Sequence, residues 1–414
     1  MIKKMSAFWK GLQGAGSGSL GRRMGAAMIA AALLLALVQP THAARSRARA
    51  NQPVSGPPTA RTGQLAGPAT PSWILVNAAT GEELSKQDPD RRGAPASMTK
   101  MMLALLVMEA VRDGQLKLSD PVQASRLASK MGGSQVYLKE GEVFPVEDMM
   151  AALLIGSAND AAAALAEHLA GSMQGTIQLM NDRAVALKLT QTHFGSVHGL
   201  PPSPGQEGDV TTPRDMARLA QELLKFPDIV RWTSLPEAPF RDSAFILRNS
   251  NKLIGHFSGA DGLKTGHFHE AGYNVAATAK RGNLRLVAVV MGAPTNKARF
   301  EEAARLLGEG FTRYTEVGVV KAGAFVGTDV NVARAKGPFR PMAANDVQVL
   351  VKREERDQIK SNVEIQPNLR APLTKGQVVG TLIVRVGDRE VARTPLVTAG
   401  EVKRKAFWWL TPWK

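Results

Sequence analysis

Three short polar motifs stand in order along this chain, each with residue types able to do chemistry. Ser97-Met98-Thr99-Lys100 sets a hydroxyl and an amine three residues apart. Ser157-Ala158-Asn159 sets a hydroxyl beside an amide, and Lys264-Thr265-Gly266 an amine beside a hydroxyl. Residues three apart on a helix share a face, so Ser97 and Lys100 can meet. A serine with a lysine one turn away can be a nucleophile beside its base. The same pair also fits an N-cap serine next to a lysine that snorkels to water. S-x-x-K recurs by chance about once in a chain this long, so the motif alone does not decide. The apolar run Met101 to Met108 that follows adds weight. A lysine at the head of a buried helix is penalised by desolvation unless it has a task. With no cysteine in the chain, a thiol nucleophile, a disulfide framework and a cysteine metal site are excluded.

The elements that must position these motifs can be read from the periodicity. Pro95 and Gly114 bracket the apolar run as helix punctuation, and the run is apolar on nearly all sides, which predicts a buried helix. Pro145 and Glu147 open a second helix, Val146 to Ile155, stopped by Gly156. An Ala-rich helix runs from Asp160 to Leu169, and another from Met173 to Leu187. Ser157 and Asn159 therefore fall on a tight turn between two largely buried helices. Ser72 to Val76 reads as a strand, and the turn Asn77 to Gly81 makes it a hairpin with Glu82-Glu83-Leu84. Tyr273 to Lys280 and Leu284 to Met291 are strands around the hairpin turn Lys280-Arg281-Gly282-Asn283, and Lys264-Thr265-Gly266 lies on a strand before them. Lys297 to Tyr314 is an amphipathic helix. A strand pair, a helical middle, more strands and a last helix predict an α+β fold, an antiparallel sheet flanked by helices with a helical subdomain.

The chain has 414 residues, 44% of them hydrophobic and 5% aromatic, enough for two or three domains and a large core. Residues 1–43 read as a secretory signal peptide, with Met24 to Val38 as an apolar stretch short for a span and Thr41-His42-Ala43 as a cleavage site. Residues 44–70, rich in Arg, Pro, Gly and Ser, read as a disordered linker. The catalytic domain is expected over 71–316. Short alternating strands over 317–398 (Val330 to Val332, Val347 to Val351, Val363 to Ile365, Val378 to Val386) predict a small all-β domain. The tail 399–414 sets Lys403, Arg404 and Lys405 beside three of the six tryptophans, a composition suited to an anionic bilayer surface. Packing back on the β domain is the other reading of that tail. The net charge is +16, and +11 without the leader's Lys3, Lys4, Lys10, Arg22 and Arg23. Such a balance could favour nucleic acid or an anionic surface. No RNP motif, zinc finger or Arg-rich arm points to nucleic acid.

In this order, S-x-x-K, S-x-N and K-T-G are the signature of penicillin-binding proteins and class A β-lactamases, with Ala158 here where the β-lactamase form has Asp. The chain resembles the low-molecular-mass penicillin-binding proteins, the serine-type D-alanyl-D-alanine carboxypeptidases of peptidase family S11, over about residues 70–400. The likeness extends to Gly133-Ser134, Leu138-Lys139-x-Gly141, Val197-His198-Gly199-Leu200, Arg214-Asp215-Met216, Asp261 to His267 and Ala271 to Asn274. It implies a DD-peptidase/β-lactamase-like fold with a C-terminal all-β extension.

It also implies a reaction on peptidoglycan stem pentapeptides, with β-lactam antibiotics as covalent inhibitors. Ser97 would attack the carbonyl between two D-alanines and form an acyl-enzyme. Lys100 would take its proton, provided its pKa falls well below about 10.4. Ser157 would pass the proton to the leaving amine, and Asn159 would orient Lys100 and the substrate. Lys264 and Thr265 suit the terminal carboxylate, and Gly266 lets the strand edge approach it. The resemblance places the oxyanion hole at the backbone N–H groups of Ser97 and His267. Arg214 and Arg299 could help bind carboxylate, with a surface ion pair as the equal alternative. No metal or organic cofactor is required. The expected location is the periplasmic side of the inner membrane, peripheral through the tail.

Three rival readings remain. A class A β-lactamase needs a glutamate for deacylation on a loop after the second motif, and between Asn159 and His198 only Glu167 is present, inside a helix. A D,D-endopeptidase cutting wall cross-links shares the site, although the β domain and tail resemble the carboxypeptidase branch. A non-catalytic wall-binding protein would predict decayed motifs, and all three are intact.

Overall fold

The structure is a computed structural model, described over residues 70–405. The leader, all of the expected linker except Thr70, and residues 406–414 of the tail lie outside the described residues. The chain begins with a hairpin of β1 (Ser72–Asn77) and β2 (Glu83–Gln87). Asn77 Oδ1 accepts from the N–H groups of Ala79 and Thr80 and closes its turn. A 3₁₀ turn, Ala96–Thr99, leads into α1 (Lys100–Arg112). Then follow the short strands β3 (Pro121–Gln123) and β4 (Val143–Pro145), and three helices: α2 (Val146–Leu154), α3 (Asn159–Ala170) and α4 (Met173–Ala186). Two more helices, α5 (Pro213–Leu223) and α6 (Pro227–Thr233), precede a small hairpin of β5 (Glu237–Phe240) and β6 (Phe245–Arg248). Three long strands, β7 (Ala260–Phe268), β8 (Gly272–Arg281) and β9 (Leu284–Ala293), end in α7 (Asn296–Arg313).

The long strands and the first hairpin form one antiparallel sheet in the order β2-β1-β9-β8-β7. The period-2 rule explains its two cores. Ile74 and Val76 of β1 and Val287, Val289 and Met291 of β9 face the helical layer built on α1 to α6. Their neighbours Trp73, Leu75, Leu286, Ala288 and Val290 face α7, through Phe300, Ala303, Leu306, Leu307 and Phe311. Both faces of β9 are buried, which is why its sequence is apolar nearly throughout. Helix α1 is sealed on almost all sides, as its apolar run predicts. The sheet leaves β7 as its edge strand, with the S-x-x-K turn beside it.

Helix α7 passes without a break into β10 (Tyr314–Val320), so this strand straddles the boundary expected at 316/317. Beyond it lie β11 (Pro341–Ala343), β12 (Val347–Lys352), β13 (Ile359–Ile365), β14 (Val378–Val386) and β15 (Arg389–Thr398). They form a β10-β12 pair and a four-stranded sheet ordered β11-β15-β14-β13. Val330 makes only an isolated bridge, to Phe339, and Val363 to Ile365 is the end of a longer strand. The start of the tail is tied to this domain: Val402 is buried and pairs with Leu373, and Arg404 pairs with Ala335.

Candidate active site

The site begins with a departure from the expected helix. Regular α-helix starts at Lys100, while Ser97 sits in the 3₁₀ turn before it. Ala96 has φ +50°, a left-handed conformation costly for a residue with a Cβ. Two backbones press on that residue. A Cβ on Gly199 would lie 2.0 Å from the Ala96 carbonyl oxygen, and one on Gly266 would lie 2.3 Å from that of Pro95. The tight turn has a chemical result. In a 3₁₀ helix residues i and i+3 eclipse, so Lys100 Nζ stands 3.0 Å from Ser97 Oγ. Ser97 is half-exposed and reachable, whereas Lys100 is fully buried.

Lys100 has two further partners. Asn159 Oδ1 accepts from it at 2.7 Å, and the His198 carbonyl oxygen at 2.6 Å. The Asn159 amide is oriented by its Nδ2, which donates to the Gly132 carbonyl at 2.6 Å. Burial first, and then the nearby Lys264 ammonium, hold Lys100 well below the ordinary lysine range. Asp209 and Asp160 push the other way.

Ser157 occupies the turn between α2 and α3 in a left-handed conformation, φ +60°. Lys264 Nζ, from β7, donates to Ser157 Oγ at 2.9 Å and to the Thr265 carbonyl at 3.1 Å. Lys264 is almost completely buried, and burial followed by the Arg299 charge lowers its pKa to about 7. Thr265 Oγ1 shares a 2.6 Å hydrogen bond with Ser250 Oγ. The structure thus brings Ser97, Lys100, Ser157, Asn159, Lys264, Thr265 and Gly266 together from a turn, two helix starts and a sheet edge. Below pH about 7 Lys264 is a cation facing the sheet edge with Arg299 behind it, so this end of the site is fit to receive an anionic group.

The remaining candidates differ. His267 follows Gly266 on β7, its ring exposed and stacked on Tyr273 with centroids 3.8 Å apart. Arg299 is buried and donates to the carbonyls of Gly266 and Asn274 at 3.1 and 2.9 Å and to Asn296 Oδ1. It braces the strand edge from behind, so it is not the surface ion pair that was one of the two expectations for it. The structure does not bring Arg214 to the site. Its guanidinium pairs with Asp90 at 2.6 Å and with Glu83, so its charge is committed at the far edge of the sheet. His198 contributes a backbone carbonyl, and burial lowers its ring pKa to about 4, so the imidazole is neutral.

Two supporting residues had no role assigned in the sequence, although Asn274 stands in the Ala271–Asn274 likeness. Asp160, fully buried, accepts from the N–H groups of Val136 and Leu138 and holds the 132–138 loop against the site. Asn274 donates to the Ala94 carbonyl and accepts from Gly292 N, tying β8 to the approach to Ser97. For Asp160, its adjacency to Asn159 was the one available signal.

A family model for D-alanyl-D-alanine carboxypeptidase matches residues 60–295, and one for the penicillin-binding protein 5 C-terminal domain matches residues 314–404. The chain is 37% identical over 352 residues to D-alanyl-D-alanine carboxypeptidase DacF of Bacillus subtilis (strain 168), covering 84% of this chain and 89% of that one. It is 34% identical over 345 residues to D-alanyl-D-alanine carboxypeptidase DacC of Escherichia coli (strain K12), covering 81% and 85%. Among solved structures, penicillin binding protein 5 from Haemophilus influenzae matches with a TM-score of 0.68 at 29% identity, covering 84% of this chain and 100% of that one. Penicillin-Binding Protein D2 from Listeria monocytogenes, solved in an ampicillin-bound form, matches with a TM-score of 0.53 at 31% identity, covering 61% and 100%. The chain belongs to the D-alanyl-D-alanine carboxypeptidase family of penicillin-binding proteins.

Proposed function

We propose that this enzyme removes the terminal D-alanine from peptidoglycan stem pentapeptides through an acyl-enzyme on Ser97. The observation that carries this reading is the partner set of Lys100. Two of its three polar neighbours, Asn159 Oδ1 and the His198 carbonyl, can only accept. A neutral amine has two N–H bonds and one lone pair. With both N–H bonds given to those acceptors, the lone pair is left for the Ser97 hydroxyl.

As Ser97 Oγ attacks the carbonyl carbon, its proton passes to Lys100. The backbone N–H groups of Ser97 and His267 would meet the developing oxyanion. Ser157, hydrogen-bonded to Lys264, is suited to deliver a proton to the departing amine. Lys264 by charge and Thr265 by hydroxyl would hold the free carboxylate of the last D-alanine. Water then hydrolyses the ester and frees Ser97. A β-lactam would enter the same path, its ring amide opening onto Ser97. Slow release of that adduct follows from the lack of a loop glutamate between Asn159 and His198, where the only glutamate, Glu167, lies inside α3.

The leader and tail extend the reading to export, to a place on the outer side of the cytoplasmic membrane, and to peripheral contact through residues 399–414. Composition supports this, as the tail sets cations beside indoles. Among the described residues no helix is long and apolar enough to cross a membrane. The deciding experiment is D-alanine release from a synthetic stem pentapeptide, wild type beside Ser97→Ala. Release lost in the variant supports the reading. Absence of release by wild type that is still acylated by penicillin at Ser97 would overturn the carboxypeptidase.

A further inference from the structure

Asp209 lies outside every motif, in the loop before α5, and is nearly buried. Its carboxylate is saturated by four donors. Oδ1 accepts from the backbone N–H groups of Gly195 and Ser196 at 2.7 and 2.8 Å. Oδ2 accepts from the hydroxyls of Thr99 and Ser196, both at 2.8 Å. These donors belong to two separate segments that meet at Lys100. Thr99 is its immediate neighbour in the chain. Ser196 Oγ accepts in turn from Gly199 N at 2.8 Å, folding the 196–199 loop around itself. That loop carries the His198 carbonyl on which Lys100 rests. It also carries Gly199, which packs against Ala96 where no side chain would fit.

The geometry points to Asp209 as a positioning residue for Lys100: one buried carboxylate fixes both the turn that bears the base and the carbonyl that aims its lone pair. This role rests on the serine-acylation reading above. Asp209 touches neither the nucleophile nor the base, so it acts through Thr99 and the His198 carbonyl. Four charged or titratable groups from different elements bear on Lys100. Lys264 of β7 disfavours its charge, Asp209 and Asp160 of α3 favour it, and His198 is neutral. Burial raises the Asp209 pKa, and its four hydrogen bonds oppose that rise.

The test is Asp209→Asn, which keeps the size. The two backbone N–H groups hold the amide oxygen, so an NH₂ replaces the acceptor that Thr99 and Ser196 share. The readout is the rate constant for acylation by a fluorescent penicillin across the pH range, wild type alongside. We expect a fall of at least about tenfold, together with an acid limb displaced to lower pH, because a negative charge near Lys100 has gone. A rate within about twofold of wild type would overturn the proposal. So would a fall in rate with the acid limb unmoved, which marks a structural role only. If Asp209→Asn does not fold, Thr99→Val and Thr99→Ser decide. Valine must lose the rate and serine restore it, and a valine variant as fast as wild type refutes the role. Wild type that resists acylation would instead defeat the serine-enzyme reading, a distinct result.

Discussion

Lys264 Nζ and Ser157 Oγ stand 2.9 Å apart, joining the sheet edge to the turn before α3. This pairs the hydroxyl proposed to carry the proton with a cation poised near neutrality, since Lys264 sits at about 7. Below that pH it is a cation and can hold a carboxylate. Above it, the charge is lost. Lys100 must do the reverse and be neutral to act. For a peptide with a free C-terminal carboxylate, kcat/KM should fall on the alkaline side with an apparent pKa of about 7, while the acid limb reports Lys100. A peptide with an amidated C-terminus should lack the alkaline limb. The same limb in both peptides would remove Lys264 from carboxylate recognition.

Replacing Lys100 by methionine separates chemistry from stability. The general base disappears, so acylation should drop about 100- to 10,000-fold. A fully buried amine, disfavoured by burial and by Lys264, is also gone. Methionine removes that burial penalty but leaves Asn159 Oδ1 and the His198 carbonyl without their donor, a cost of about 1–3 kcal/mol, so Tm should fall only modestly. Thermal unfolding followed by circular dichroism checks this, and a large fall in Tm would show that Lys100 anchors the fold.

Gly266→Ala tests the close approach of β7 to the nucleophile. The new Cβ would lie 2.3 Å from the Pro95 carbonyl oxygen and 3.0 Å from Ser97 N, so strand and turn must part. A displacement of that order costs about 100-fold in rate. Penicillin acylation kinetics should show the loss with little change in Tm. Activity close to wild type would mean that the turn moves without harm.

Arg299→Gln should act on the same strand from behind. Losing donors to the buried carbonyls of Gly266 and Asn274 costs about 1–3 kcal/mol. Removing the positive charge also relieves Lys264, so the alkaline limb of kcat/KM should move to higher pH. An unmoved limb in a folded variant would disprove the coupling.

Two truncations distinguish the tail's roles. Removing residues 406–414 should free the protein from anionic vesicles and leave Tm unchanged. Cutting from Val402 should also lower Tm, because Val402 is buried and exchanges both backbone hydrogen bonds with Leu373. Co-sedimentation and calorimetry read the two effects, and vesicle binding by the 406–414 deletion would end the membrane role.

Much of the frame was legible because it rests on local periodicity. Met101 to Met108 declared a buried helix, and the Gly282-Asn283 turn placed β8 against β9. The motif residues were legible by type and order. Asp209 was not, because its partners Thr99 and Gly195 lie in other segments and an aspartate in a Gly-rich loop looks like turn chemistry. Ser250 was hidden for the same reason, and Asn274, visible in the Ala271–Asn274 likeness, had no legible role because its partners Ala94 and Gly292 lie in other segments. The role of Arg299 was unreadable because nothing in α7 marks which carbonyls its guanidinium will reach. The turn at Ser97 read as ordinary helix, since Ala96 takes positive φ only under pressure from two distant glycines. Strand β15 went unassigned, and Pro395 within it weakens any strand reading.

Strand β1 pairs residues 72–77 with residues 286–291 of β9, near the far end of the catalytic fold. During synthesis, the first strand must therefore wait with its apolar faces unburied until the last has emerged. Ser97 lies just after the waiting strand, and Lys264 just before the arriving pair. A chain cut short of β9 carries every motif residue but lacks the central strand that brings β1 and β8 into one sheet. Covalent labelling by penicillin thus counts finished molecules: a half-made copy is invisible to the drug and exposed to proteases.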